Sequence, residues 1–207
     1  MIKLIIFDLW HTLAHPYNAP GTLHSTFEFF QPQLGKENLR KTFENSTQKK
    51  IWKSEYNMYK NFLRNIKVDT TKEAVDLIMA VREYEKSKAI LYKHVMPMLK
   101  KLKKQGYILA LLSNSTCFDC EHLERKTKFI EHFDYPFFSY QHGMVKPDPR
   151  IFKQLLKKTK CKPEEAIMIG DNPIDDARPA KKLGLNAITY KNYKQLKKEF
   201  KKFGIKI

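Results

Sequence analysis

Apolar residues follow two rhythms along this chain. The first is a short, nearly unbroken run. Ile2-Lys3-Leu4-Ile5-Ile6-Phe7-Asp8 places five apolar residues among seven and stops on a carboxylate. Runs of this length predict strands buried on both faces of a parallel sheet. Comparable runs occur at 107–112, 136–139, 165–171 and 186–190. The second rhythm repeats apolar residues every three or four positions, which predicts amphipathic helices. These fall near 22–31, across 36–65 with a break in the middle, and over 71–91, then at 95–104, 149–158, from Asp171 to about Leu183, and at 194–203. Asp69-Thr70-Thr71-Lys72-Glu73 carries the capping groups of a helix start. Gly106 and Gly184 mark helix ends. Ala14–Gly21, with Pro16 and Pro20, reads as a turn-rich passage.

Strands alternating with helices predict an α/β fold, a parallel sheet with helices on both faces. The 207 residues suit one large domain or a core with an inserted subdomain. A hydrophobic content of 42% with 13% aromatics is enough for a substantial core. No stretch has the length of a membrane span, so no membrane partner is expected. The N-terminus runs straight into a strand pattern, so no signal peptide is expected. Three cysteines do not make a disulfide framework, which fits a reducing cytoplasm. The net charge of +17, from 39 Lys+Arg against 22 Asp+Glu, raises the question of a polyanionic partner. The lysines, however, lie in pairs on the polar side of helical patterns, as in 98–104 and 195–203, and no nucleic-acid fold signature accompanies them. A nucleic-acid partner is therefore not expected, although the field favours anionic substrates. No feature of the sequence specifies an oligomer.

Four chemically loaded points follow strands or precede helices. They are Asp8 with Thr12; Ser113 with Asn114; Lys146 in Val145-Lys146-Pro147-Asp148-Pro149; and Asp171 in Gly170-Asp171-Asn172-Pro173-Ile174-Asp175-Asp176. The three strand ends should share the carboxyl edge of one sheet, where such folds bind ligands. Together they offer carboxylates for a hard cation, a hydroxyl and an amide for anion oxygens, and one ammonium. That inventory suits phosphoryl transfer: a carboxylate can attack phosphorus, Mg²⁺ takes oxygen ligands, and positive groups neutralise the phosphoryl oxygens. Taken singly, each is ordinary. A strand-end Asp is often a helix cap, Ser113-Asn114 a turn, Lys146 one lysine of many, and Gly170-Asp171 a turn. Their order along the chain gives the set its force.

With these motifs the sequence resembles the haloacid dehalogenase superfamily, composed mostly of phosphatases. The Asp-x-Asp-x-Thr motif is matched by Asp8 and Thr12, with Trp10 in place of the second Asp. The strand-end hydroxyl is matched by Ser113, the lysine by Lys146, and the Gly-Asp motif by Asp171 and Asp176, with Asp175 where Asn is usual. The resemblance covers nearly the whole chain. It implies a Rossmann-like core at 1–13 and 94–207 and an inserted α-helical cap of the C1 type at 14–93. It also implies a Mg²⁺-dependent phosphohydrolase acting on a small phosphorylated substrate. In that scheme Asp8 is the nucleophile and a metal ligand. The Trp10 backbone carbonyl, Asp171, and Asp176 (or Asp175) complete the metal site. Ser113, the Asn114 backbone and Lys146 hold the phosphoryl group, and Thr12 orients the first loop.

Trp10 departs from the pattern, because an indole has no useful proton chemistry at neutral pH. Either the leaving group is good enough to need little acid, or His11 supplies the proton; otherwise His11 simply faces the cap or solvent. An aromatic residue at this position also occurs, as Tyr, in the metal-independent 2-haloacid dehalogenases, which lack the Gly-Asp motif. That activity is one alternative, and a non-catalytic binding protein using its basic surface is the other. Cys117, Cys120 and His122 have no second ligand pair nearby and read as ordinary groups on the helix after Ser113. Arg40, Trp52, Tyr56 and Arg64 are candidate cap contacts to substrate.

Overall fold

The computed structural model describes residues 1–15 and 34–207. The helix expected near 22–31 lies outside them. The sheet is built from β1 (Leu4–Phe7), β4 (Ile108–Ser113), β5 (Tyr135–Phe138), β6 (Ala166–Gly170) and β7 (Asn186–Thr189), in the order β5-β4-β1-β6-β7. All four pairings are parallel. β1 is central, and its four residues are fully buried. Successive side chains of a strand point to opposite faces, so both faces of β1 must be covered.

The helices supply that cover. On one face, Ile5 and Phe7 pack with Leu109, Leu111, Ile167 and Ile169 beneath α4 (Val95–Lys104), α5 (Cys117–Thr127) and α9 (Tyr193–Lys202). On the other, Leu4 and Ile6 join Ala110, Leu112 and Met168 under α7 (Pro149–Thr159) and α8 (Arg178–Lys182). A four-residue helix, α6 (Ser139–His142), follows β5. The segment after Asp171 begins as a π-helical turn, Pro173–Ala177, before α8. Asp148 caps α7 by accepting from Arg150 N, with Pro149 in the first turn.

The helical insertion has a core of its own. α1 (Lys36–Thr47), α2 (Glu55–Asn65) and α3 (Lys72–Lys88) bury Leu39, Phe43, Met58, Tyr59, Phe62, Leu63, Val75 and Ile78 against one another. The break expected within 36–65 is real, and Ser54 caps the second helix by accepting from Asn57 N. Thr71 caps α3 through Ala74 N, inside the capping sequence recognised above.

Two expectations are corrected at the base of the insertion. The helix expected to run to Leu91 stops at Lys88, and Ala14–His15 is not a turn. Instead, β2 (Ala14–His15) and β3 (Ile90–Leu91) form a two-stranded antiparallel ribbon. Tyr92 N also donates to Leu13 O. The ribbon is specified by a partner far away in sequence, so local periodicity could not reveal it. No helix among the described residues is long and apolar enough to cross a membrane.

Candidate active site

Because β1 is central, its last residue projects Asp8 between the ends of β4 and β6. Asp8 is buried, and its backbone N–H donates to Ile169 O at 2.8 Å. Lys146 arrives from the loop before α7 and is 3% exposed. Its Nζ donates to Asp8 Oδ1 at 2.7 Å and to Asp176 Oδ1 at 2.6 Å. Asp171 joins the group from the end of β6, and carboxylate oxygens of Asp8, Asp171 and Asp176 lie within 4.8 Å of one another. Asp8 and Asp176 therefore share one ammonium with Asp171 beside them, so that acids outnumber the cation three to one in a low-dielectric pocket.

Burial pushes the Asp8 carboxyl up to about 7, with Lys146 pulling it down and Asp176 adding to the rise. Asp171 is raised by burial too, against the pull of His11. Burial works against the Lys146 ammonium, but Asp176 and Asp8 outweigh it and hold its pKa above the ordinary value. This imbalance is what a divalent cation would correct. The donors are hard carboxylate oxygens, which suit Mg²⁺.

The neighbouring groups hold this arrangement. Thr12 Oγ1 donates to Asp8 Oδ2 at 3.3 Å and accepts from Asp171 N at 3.1 Å, tying the first loop to the last. Asn114 clasps the Lys146 backbone in both directions: Nδ2 donates to Lys146 O, and Oδ1 accepts from Lys146 N. Ser113 and Ser115 share a hydroxyl contact at 2.8 Å, and Trp10 Nε1 donates to Ser115 Oγ at 2.8 Å. The Trp10 backbone forms an isolated bridge with Ala14. His11 is exposed with a left-handed backbone (φ 60°). Neighbouring groups still cover part of its ring, and this loss of water lowers its pKa, while the Asp171 carboxylate raises it and places the imidazole in the field of that acid.

The two adjacent acids of the last motif go different ways. Asp176 points into the cluster, and its Oδ2 accepts from Asn172 N. Asp175 turns away and accepts from Arg40 Nη1 at 2.8 Å and Asn172 Nδ2 at 2.7 Å. Three contributors were missed from the sequence. A Cβ on Gly170 would collide with the Asp176 carboxyl, so glycine makes room for it. Asn172 shapes the turn by accepting from Ile174 N and Asp175 N, and Asn-Pro at 172–173 was a usable turn signal. Ser115 had no signal beyond its place after Ser113.

The other cap candidates have their own local settings. Trp52 Nε1 donates to Thr47 O, Tyr56 packs on the core of the insertion, and Arg64 is exposed. Cys117 and Cys120 are buried free thiols raised by burial, as expected of ordinary helix residues.

The chain is similar to several known proteins. The chain is 33% identical over 107 residues to a glyceraldehyde 3-phosphate phosphatase of Pyrococcus furiosus, an overlap of 51% of this chain and 45% of that protein. It is 34% identical over 108 residues to a phosphoserine phosphatase of Thermus thermophilus, covering 50% and 42%. The matched stretches span less than half of these relatives. Among solved structures, a haloacid dehalogenase family enzyme from Bacteroides thetaiotaomicron, in complex with magnesium and inorganic phosphate, superposes with a TM-score of 0.66 at 21% identity, covering 95% of this chain and 99% of that one. A 2-haloacid dehalogenase from Pseudomonas syringae gives 0.62 at 22% identity, covering 92% and 86%. Both show a shared fold. The family model for haloacid dehalogenase-like hydrolases matches residues 5–190, from the first apolar strand to just beyond the last, and the chain belongs to that family.

Proposed function

We propose that this protein is a Mg²⁺-dependent phosphohydrolase that cleaves small phosphate esters or anhydrides through a phosphoryl intermediate on Asp8. The observation that carries this reading is the surplus of carboxylates around Lys146 at the end of β1. The two phosphatase relatives support the reaction class. Asp8, Asp171, Asp176 and the Trp10 carbonyl would hold the cation, which when bound supplies charge neutralisation at the phosphoryl oxygens.

In this reading an Asp8 carboxylate oxygen attacks phosphorus. The bond from phosphorus to the leaving oxygen breaks, and that oxygen keeps the electron pair and takes up a proton. Water then attacks the phosphorus of the acyl-phosphate, loses a proton, and displaces the Asp8 oxygen, releasing phosphate. Lys146 and Ser113 stabilise the transferring group, with Asn114 holding Lys146 in place, and Thr12 orients Asp8. Trp10, tied to Ser115, donates no proton to the leaving oxygen. The reading therefore favours substrates with good leaving groups, such as aryl or acyl phosphates, over simple alkyl esters. Residues 14–93 act as a cap that screens substrates over the core at 1–13 and 94–207.

Phosphate release from a panel of phosphorylated metabolites, measured with and without Mg²⁺, tests the proposal. Release that depends on Mg²⁺ is expected. Chloride or fluoride release from 2-haloacids without Mg²⁺ would replace it with the dehalogenase reading that Trp10 invites. Failure of every substrate, together with no Mg²⁺ binding, would favour a binding protein.

A further inference from the structure

Arg40 sits on α1 of the insertion, yet it reaches the loop that follows β6. Its Nη1 donates both to Glu44 Oε1 at 2.7 Å and to Asp175 Oδ2 at 2.8 Å. Its Nε and Nη2 hold Glu37 at 3.1 and 2.9 Å. The guanidinium is thus fixed on α1 by two carboxylates of its own helix, with one donor extended across to the core. Asp175, its partner there, is 5% exposed. The same Asp175 oxygen accepts from Asn172 Nδ2, and Asn172 N donates to Asp176 Oδ2. A continuous set of charge-assisted bonds therefore runs from the insertion to the acidic cluster. The planar fork of Arg spans these acceptors in a way a lysine ammonium could not.

We propose that Arg40 is a positioning residue: by holding Asp175, it orders the 171–176 loop and places Asp176, so that seating of the helical insertion and assembly of the cation site are coupled. The inference rests on the cap and Mg²⁺ reading given above and deepens it. Groups behind a metal's direct ligands commonly govern affinity in this way. If α1 lifts, Asp175 loses its main counter-charge while remaining beside Asp176, and the loop is free to rearrange.

The sign of the effect makes the proposal testable. Removing a positive charge near a cation site should by simple electrostatics strengthen Mg²⁺ binding. Loss of positioning should weaken it. Calorimetric titration of the full chain with MgCl₂ is therefore expected to show Arg40→Gln binding about tenfold more weakly than wild type. Asp175→Asn should weaken binding to a similar degree, and the double variant no further, because both break one linkage. Arg40→Lys should recover part of the loss. Lys41→Gln removes a charge from the same helix, where Lys41 pairs with Glu37, and should leave affinity unchanged. Hydrogen exchange on metal-free protein gives a second readout: Arg40→Gln should accelerate exchange in residues 171–177 as well as in α1. Mg²⁺ affinity that is unchanged or increased in Arg40→Gln would overturn the proposal, as would faster exchange confined to α1. If wild type binds no Mg²⁺ at all, the phosphohydrolase reading fails, and the exchange experiment alone decides the role of Arg40.

Discussion

Two buried ionic clusters can be compared within this molecule. At the strand ends, Asp8 and Asp176 share the ammonium of Lys146, with Asp171 beside them. Between the insertion and the core, Arg82 of α3 donates to Asp119 Oδ1 at 2.6 Å, to Glu85 Oε2 at 2.6 Å and to Tyr59 OH at 3.2 Å. Thr116 Oγ1 occupies the other oxygen of Asp119 at 2.8 Å. The second cluster uses a guanidinium with enough donors for each acceptor and joins α3 to α5. The first stacks like charges around a single point charge. Burying ions is costly in both cases. In the second, one guanidinium reaches both carboxylates; in the first, the ammonium reaches Asp8 and Asp176 but not Asp171. Both clusters hold more carboxylates than cations, but a third acid that the cation does not reach, at the carboxyl edge of a sheet, indicates a ligand, whereas a network in which every carboxylate reaches the cation indicates a joint.

Breaking each cluster should have opposite consequences. Asp171→Asn is expected to reduce Mg²⁺-dependent turnover by at least about a thousandfold, as loss of a key charge does, while raising the thermal midpoint of the metal-free protein. Burial holds the Asp171 carboxyl above its ordinary value, so its ionised form costs stability at pH above that raised value. The cost fades as pH falls toward the unfolded carboxylate range, and the midpoint difference between wild type and Asp171→Asn should shrink accordingly. A midpoint unchanged by the substitution at pH 8 would contradict the charge surplus. Wild type should also gain about 2.7 kcal/mol at a Mg²⁺ concentration a hundredfold above Kd, and Asp171→Asn should not.

Arg82→Met should behave in the reverse manner. Leaving Asp119 and Glu85 buried without their guanidinium is expected to cost about 3–5 kcal/mol in denaturant unfolding. The change should be similar with and without Mg²⁺. A Mg²⁺ affinity shifted as strongly as the stability would show that the two clusters are not separate.

The smallest expected effect lies at the edge of the first cluster. Trp10→Phe removes the bond to Ser115 and should cost about 1 kcal/mol of stability. It should leave the preference among leaving groups unaltered, since neither side chain donates a proton to the leaving oxygen. A changed ratio of alkyl to aryl phosphate hydrolysis would assign Trp10 a larger part.

The contrast also shows what the sequence could reveal. The clustering of groups at the candidate site was legible because strand ends carry local signals: apolar runs stopping at Asp8, Ser113 and Asp171, and the Lys-Pro-x-Pro start of α7. The Arg82–Asp119 joint was not, because an Arg in the middle of a helical pattern gives no hint that it is buried against another helix. The β2–β3 ribbon was hidden for the same reason. The choice between Asp175 and Asp176 turned on Gly170, whose missing side chain leaves room for one carboxylate, and on Arg40, which draws the other aside. Both are tertiary facts. The part of the site that depends on facing elements became visible only when the insertion and the core were seen together.

The central claim is that Asp8 is the atom donor to phosphorus rather than one acid among three. Acid-quenching the protein during turnover of an aryl phosphate in Mg²⁺, followed by mass analysis of the peptide containing residues 4–13, addresses it directly. A phosphoryl group on Asp8, absent without Mg²⁺ and absent together with turnover in Asp8→Asn, is the expected result. Phosphate release by Asp8→Asn at the wild-type rate would contradict the account.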